Sequence, residues 1–403
     1  MMRVSWSLCL VLLLGCSDGG PPGEGPATLG AEVRAAEDAR GAVVESIEDG
    51  GPAARAGLQP GDLIQAVDGK SVEDPCGFEQ ALRDLPAGKK VKIAWRAGRE
   101  SREAAVELAS ALDLYGKACD GGRVSSCHQL GVVYLQGRGM PAADPARAAE
   151  IFEQACSKGS ADACADLGIQ ALNGNGIAAD EPRARELFRQ ACDGGSAAGC
   201  AHLAYVLATG RGVLQDDARA FALYRQACDG GDPEGCYNVG VHFDDARGTF
   251  QNQTLALAAY TRGCAMGSSM ACTNLAYHYQ NGLGTLADAA RAVTFYTRAC
   301  EGTRCTPGDP MGCFDLGVVY RDGLGVAPDK ARAATYFESG CDGGNAYGCA
   351  NLADLLEYGD GVPKDEKRAD ELFRRACQGG HQRSCERLGL QPEAQPEKTP
   401  PPE

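Results

Sequence analysis

A cysteine pair that returns along the chain in one setting constrains the fold more than any other feature. Cys192 and Cys200 bracket the small-residue loop DGGSAAG. The same eight-position spacing recurs at Cys119/Cys127, Cys156/Cys164, Cys228/Cys236, Cys264/Cys272, Cys341/Cys349 and Cys377/Cys385. Cys300/Cys313 is a wider pair, stretched by five extra residues that include Cys305. The steps 192 to 228, 228 to 264 and 264 to 300 are each 36 residues, with one step of 37 (119 to 156) and one of 41 (300 to 341). Such a period belongs to stacked units that each cover a neighbour's apolar face. One unit reads as helix A, CAHLAYVLATG (200–210), a Gly-x-Gly turn, and helix B, QDDARAFALYRQAC (215–228). Small residues in Leu130-Gly131, Leu203-Ala204 and Leu316-Gly317 let the helices approach, and Gly210 and Gly212 end helix A in left-handed conformations. Each cysteine pair then ties the end of one helix B to the start of the next helix A, at a separation a disulfide can bridge. In the chain-entropy account each nine-residue loop is worth roughly 2–3 kcal/mol. The expectation is an all-α, right-handed solenoid of disulfide-linked hairpins over residues 110–390.

The N-terminus supplies the compartment that such bonds need. MMRVSWSLCLVLLLGC has one Arg3 and an apolar run too short to span a bilayer comfortably, which is the shape of a secretory signal. Leu13-Leu14-Gly15-Cys16 resembles a bacterial lipobox. The resemblance implies removal of residues 1–15, lipid on the Cys16 thiol and, with Ser17 next, the periplasmic side of the outer membrane. Export favours stable disulfides. Residues 16–26 read as the lipidated cysteine and a Gly/Pro tether, and 391–403 as a polar Pro-rich tail. A net charge of −15 excludes nucleic acid as the expected partner and leaves the lipid as the expected membrane contact.

Residues 27–109 have another character. GAVVESI (41–47) and DLIQAVDGKSV (62–72) are β-branched runs, and Asp68-Gly69 is a hairpin signal. Pro52–Ala56 reads as a helical turn, Phe78–Leu85 as an amphipathic helix, and 91–96 and 102–108 as strands. The run GAVVESIEDGGPAARAGLQPGDLIQAVDGKSV resembles a PDZ domain of the kind found in bacterial HtrA-type proteases. The resemblance implies a small, mostly-β domain that binds an extended peptide by strand addition. Gly30 and Ala31 would donate to a terminal carboxylate, Val33 would lie on the pairing strand, and Phe78 and Leu82 would line the side-chain pocket.

The repeats resemble Sel-one-like repeats, relatives of tetratricopeptide repeats, and most closely their secreted cysteine-rich branch with a disulfide in each unit. Two residues after each helix-A cysteine stands a polar position, including Asp166, His202, Asn238, Asn274, Asp315 and Asn351. His242 and His278 follow four residues after Asn238 and Asn274. This stripe is expected to line a ligand groove. Cys76 and Cys305, left over after eight pairs, could bond to each other. No cofactor or metal is expected, since short CxxC pairs and clustered histidines are lacking. Ser-x-x-Lys and HExxH do not occur, and Gly174–Ala179 lies in a repeat turn rather than after a strand.

The resulting expectation is a multidomain envelope lipoprotein acting as an adaptor. The PDZ domain would take a peptide end and the solenoid groove a second partner, with envelope proteins or peptides as ligands. The alternatives are a penicillin-binding, weakly β-lactam-hydrolysing protein, by family resemblance alone, and a regulator of an envelope protease.

Overall fold

The computed structural model describes residues 27–35, 41–73, 75–83, 85–137, 140, 142–302 and 307–390. The signal segment, Cys16, the 391–403 tail, Cys305 and the Cys76 side chain lie outside the described residues, and with them the expected lipidation and the Cys76–Cys305 bond. The chain divides into two compact units, Met1–Leu187 and Phe188–Glu403.

The first unit begins with β1 (Ala27–Thr28), β2 (Ala31–Ala35), β3 (Ala42–Ile47), α1 (Pro52–Ala56), β4 (Leu63–Val67), β5 (Lys70–Ser71), α2 (Pro75–Arg83), β6 (Lys90–Ala97), β7 (Glu100–Glu107) and β8 (Ala109–Ser110). The main sheet is antiparallel in the order β2-β3-β4-β6-β7, with β5 beside β4, while β1 pairs with β8. Alternation sets its faces: Val91, Ile93 and Trp95 of β6 are buried while Lys90, Lys92 and Arg96 are exposed. Asp68 and Gly69 both take positive φ, 49° and 76°, as a two-residue hairpin of this twist requires. The order leaves β2 at an edge of the sheet.

The same unit continues with α3 (Ala111–Asp120), α4 (Val124–Gln136), α5 (Pro145–Ser157) and α6 (Ala161–Asn173), and the division falls inside α7 (Glu181–Asp193). The second unit holds α8 (Ala197–Thr209), α9 (Asp217–Asp229), α10 (Pro233–Asp245), α11 (Gln253–Ala265), α12 (Ser269–Asn281), α13 (Ala289–Glu301), α14 (Pro310–Asp322), α15 (Lys330–Asp342), α16 (Ala346–Tyr358), α17 (Glu366–Gln378) and α18 (Gln382–Leu388). From α4 on, even-numbered helices are helix A and odd-numbered ones helix B. The helices begin where a side chain can cap them. Asp216, Asp288 and Asp365 accept from the third residue onward at helix B, and Ser196, Ser268 and Asn345 do so at helix A. Ser196 therefore starts α8 three residues before Cys200. No described helix is long and apolar enough to cross a membrane.

Packing within a hairpin rests on one ring. Phe152, Phe188, Tyr224, Tyr260, Tyr296, Phe337 and Phe373, one on each helix B, are at most 4 % exposed. Facing them on helix A is the small residue of a Leu-Gly or Leu-Ala pair, or of Val239-Gly240 in α10. A Cβ on Gly240 would stand 2.4 Å from the Tyr260 ring, and one on Gly317 2.5 Å from the Phe337 ring. Each repeat thus encloses one ring in its own interior.

Between hairpins the cysteine pairs close as disulfides. These are Cys119–Cys127, Cys156–Cys164, Cys192–Cys200, Cys228–Cys236, Cys264–Cys272, Cys300–Cys313, Cys341–Cys349 and Cys377–Cys385. Their Cα separations run from 4.3 Å at Cys300–Cys313 to 4.7 Å at Cys119–Cys127. The helix-A partner is in every case an interior residue. Cys127, Cys164, Cys200, Cys236, Cys272, Cys313, Cys349 and Cys385 are all 4 % exposed or less. The helix-A sulfurs are thus part of the core itself. The cysteine sits in the first turn of helix A, on the side turned towards helix B, where the hairpin closes over the bond.

One unit departs locally. Helix α10 ends on Ala246 with φ 55°, where the helix A on either side ends on a glycine, Gly210 or Gly282. The strain of a left-handed alanine falls there because Arg247-Gly248 replaces the Gly-x-Gly turn. Gly248 itself must be glycine: φ is 64° and an added Cβ would lie 2.1 Å from the Asp217 carbonyl oxygen.

Two swaps between glycine and alanine should therefore act in opposite directions. Gly240→Ala is expected to destabilise by about 1–3 kcal/mol through overpacking against Tyr260. Ala246→Gly is expected to stabilise by about 0.5–1 kcal/mol by relieving the left-handed alanine. Urea midpoints of the two variants against the parent decide both.

Candidate functional site

Three elements converge beside the edge strand. Ala31 and Val33 of β2, Phe78 and Leu82 of α2, and residues of α3 and α4 enclose an open cavity of about 420 Å³. Phe78 and Leu82, one helical turn apart, are 3 % and 6 % exposed and form its apolar floor, while Ala31 and Val33 are half-buried. The helical side contributes Ala111 and Tyr115 of α3 and His128, Gln129, Val132 and Val133 of α4. Four of the residues expected to bind peptide thus stand around one cavity. Sequence reasoning missed that α3 and α4 complete its wall.

Gly30 sits differently. It is buried, and its N–H donates to Thr28 Oγ1 at 3.0 Å. A Cβ on Gly30 would lie 2.8 Å from Leu114 Cδ2, so α3 packs directly on this loop. Tyr115 Oη also lies 3.1 Å from Thr28 Oγ1.

Polar contacts hold the sheet domain to the first helices. Arg123, at the start of α4, pairs with Glu48 at 3.1 Å and with Asp49, and donates to the Ile47 carbonyl at 3.1 Å. Ser126 donates to the buried Glu48, and Gln129 Nε2 to Glu32 Oε1 at 3.2 Å. In the cavity wall, His128 Nε2 lies 2.8 Å from Asp166 Oδ2. Burial lowers the affinity of His128 for a proton, but the Asp166 hydrogen bond and the charges of Asp166, Asp162 and Glu32 outweigh it and raise its pKa.

The expected polar stripe on helix A disperses in the structure. His242 is fully buried: Nδ1 donates to the Arg247 carbonyl at 2.7 Å, Nε2 has no hydrogen-bond partner, and the ring packs on Phe221 and Tyr224. His278 is 1 % exposed, bonded to the Leu283 carbonyl at 3.0 Å and to Asp244 Oδ2 at 2.8 Å. Both histidines tie the helix end to the interior and leave the expected groove: residues four apart share a helix face, and here that face is covered by helix B, whose Tyr224 and Tyr260 meet the two rings. Asn238 and Asn351 donate to carbonyls of their own helices, those of Glu234 and Tyr347, each at 2.8 Å. Asn274 bonds Tyr260, His202 stacks on Phe188 with centroids 5.1 Å apart, and Asp166 pairs with His128.

The helix-A cysteines are likewise buried. Cys164, Cys236, Cys272, Cys349 and Cys385 are 1 %, 0 %, 2 %, 1 % and 0 % exposed. Cys236 packs with Tyr224 and Val239, Cys272 with Tyr260 and Leu275, and Cys349 with Ala350 and Ala376. Cys385 Sγ lies 3.4 Å from the Cys377 carbonyl oxygen.

Asp315 and Glu234 carry raised pKa values of about 7. The first cause in each is burial, reinforced by Asp309 for Asp315 and by Asp232 and Asp309 for Glu234, against which a Ser268 hydrogen bond works.

A surface feature also escaped the sequence reading. Leu214, Phe250 and Leu286, 36 residues apart in the turns between helix A and helix B of the second unit, are 92 %, 67 % and 88 % exposed. The signal was the recurrence of a large apolar residue two positions after the turn glycines Gly212, Gly248 and Gly284.

Comparison with known proteins gives two family matches. The PDZ domain family matches residues 43–96, and the Sel1 repeat family matches 124–160, 161–196, 197–232, 233–268, 269–303, 310–345 and 346–381. Among solved structures, a protective antigen of uropathogenic Escherichia coli with an SLR fold has a TM-score of 0.53 at 25 % identity, covering 70 % of this chain and 60 % of that one. A Sel1 repeat protein from Oxalobacter formigenes has a TM-score of 0.53 at 23 % identity, covering 69 % and 79 %, a likeness of fold. A "Probable periplasmic serine endoprotease DegP-like" from Brucella suis is 31 % identical over 126 residues, 29 % of this chain. The chain spans 24 % of that relative's length.

The raised carboxyl groups predict a pH dependence. Unfolded, Glu234 titrates at about 4.3, so between there and about 7 the folded state binds more protons and stability falls as pH rises. Thermal melts should show a higher Tm near pH 5 than near pH 8, with a stability difference on the order of 1–3 kcal/mol per group. Glu234→Gln should flatten that slope; an unchanged slope would remove Glu234 from the account.

Proposed function

Because the chain belongs to the Sel1 repeat family and carries a PDZ domain ahead of its repeats, we propose that it is a protein-interaction scaffold. In this reading the β2–α2 groove captures an extended peptide by strand addition, and the repeats engage a second protein. The observation that carries it is the coincidence of an edge strand with an apolar-floored cavity formed by Ala31, Val33, Phe78 and Leu82. The recurrent exposed row Leu214, Phe250 and Leu286 supports a separate contact surface on the second unit. The N-terminal sequence ending Leu14-Gly15-Cys16 supports a lipid-anchored site of action on the periplasmic side of the outer membrane.

In-cell crosslinking with mass spectrometry should separate the two surfaces. Ala31→Phe, which fills the cavity from a half-buried position, is expected to remove one set of partners. A triple change of Leu214, Phe250 and Leu286 to Ser should remove another, with stability within about 0.5 kcal/mol per exposed site. Partner lists unchanged in both variants would reject the scaffold reading. Metabolic labelling with an alkynyl fatty acid should mark the parent and not Cys16→Ala.

A further inference from the structure

The groove has a charge and a closed end that bear on what fits it. The carboxylates among its lining residues are Glu32, Glu45, Glu79 and Asp162, and no Lys or Arg is among them. Arg34 stands 3.6 Å from Glu45, and Glu32 accepts from Ser46 Oγ at 2.6 Å as well as from Gln129. Two side chains in the wall register the field. The Tyr115 phenol is pushed up, first by burial and then by Glu32, Glu48 and Glu79, against the Thr28 hydrogen bond. His128, the lining residue able to become cationic, already faces Asp166 and Asp162. The loop where a chain-terminal carboxylate would sit has its Gly30 N–H turned to Thr28, Leu114 packed over it, and the buried Glu48 beside it. An anion placed there meets a negative field, one donor fewer and a covered approach.

We propose that the groove takes an internal, extended segment of a partner protein, apolar side chains on the Phe78–Leu82 floor alternating with Lys or Arg that meet the groove carboxylates. This rests on the reading of the groove as a strand-addition site and adds the chemistry of its ligand. Strand addition supplies the backbone hydrogen bonds whatever the sequence. The alternating pattern supplies specificity, since successive side chains of a strand point to opposite sides. The helices α3 and α4 participate directly: they close the terminal end of the groove and add His128, Gln129 and Val132 to its far wall.

The experiment is fluorescence anisotropy of labelled peptides with the full chain purified in detergent. Three probes are compared: acetyl-GKVKVKVG-amide, the same peptide with a free C-terminal carboxylate, and acetyl-GEVEVEVG-amide. The lysine amide is expected to bind, the free carboxylate to change its affinity less than about twofold, and the glutamate peptide to bind at least about tenfold more weakly. Raising salt from about 50 to 500 mM should weaken the lysine peptide several-fold. A double variant, Glu45→Gln with Glu79→Gln, changes two exposed residues and should weaken it about 5–10-fold without moving Tm. Tenfold tighter binding of the free-carboxylate peptide, or equal binding of the glutamate and lysine peptides, would overturn the ligand chemistry while leaving the groove in place. Absence of binding by all three probes, or binding untouched by Ala31→Phe, would overturn the groove reading itself.

Discussion

Each repeat is held together by a ring of helix B pressed into the space left by a missing side chain on helix A. The ring is fully enclosed and its partner is glycine or alanine, so the contact leaves little room in either direction. A smaller ring would open a cavity, and a larger partner would collide, as the 2.4 Å approach to Tyr260 illustrates. The rest of the helical structure depends on this register. With the hairpin fixed, helix B ends where its cysteine stands within Cα reach of the next helix A, and the bond can close without moving the backbone. The disulfide therefore locks a geometry that apolar packing has already set.

Polar groups then finish what packing begins. Asp and Ser side chains satisfy the first amides of the helices, placing acidic groups at positive helix ends. Part of the chain's acidity is thus structural rather than a sign of its ligand. The network of Asp244, Tyr260 and His278 does the same in the interior: the Tyr260 hydroxyl and His278 Nε2 both meet one carboxylate oxygen, at 2.9 and 2.8 Å. Such a buried network joins consecutive hairpins in one arrangement, since any slip would leave a charge unpaired.

In the first unit, the sheet domain is fastened to the leading helices by Arg123, which reaches two carboxylates and a carbonyl, and by Leu114 over the Gly30 loop. The contact is specific because a multidentate guanidinium and a close-packed glycine each tolerate one placement. Its consequence falls on the groove beside β2, which gains a helical wall from α3 and α4 and has Leu114 packed over the Gly30 loop.

The cysteine spacing, the Gly-x-Gly turns and the small residues after each leucine carried the helical array on their own, because each is a local rule repeated at a fixed period. The strand alternation in 91–96 and the Asp68-Gly69 hairpin likewise placed the sheet, and Ala31, Val33, Phe78 and Leu82 were marked as groove residues by their place in a familiar pattern. Tertiary structure decided the rest. Spacing says which residues of helix A share a face, and only the packing of helices decides whether that face is open or covered, so His242 and His278 lie in the interior although their spacing suggested a stripe. The enclosure of Cys164, Cys236, Cys272, Cys349 and Cys385 is of the same kind: spacing names their partners, and only packing says that the sulfurs are covered. The burial of one ring per repeat follows from the close approach of helix A and helix B, at Gly240 against Tyr260 and Gly317 against Phe337. The far wall of the groove arises the same way, by setting α3 and α4 against β2 and α2, a juxtaposition that no local pattern encodes.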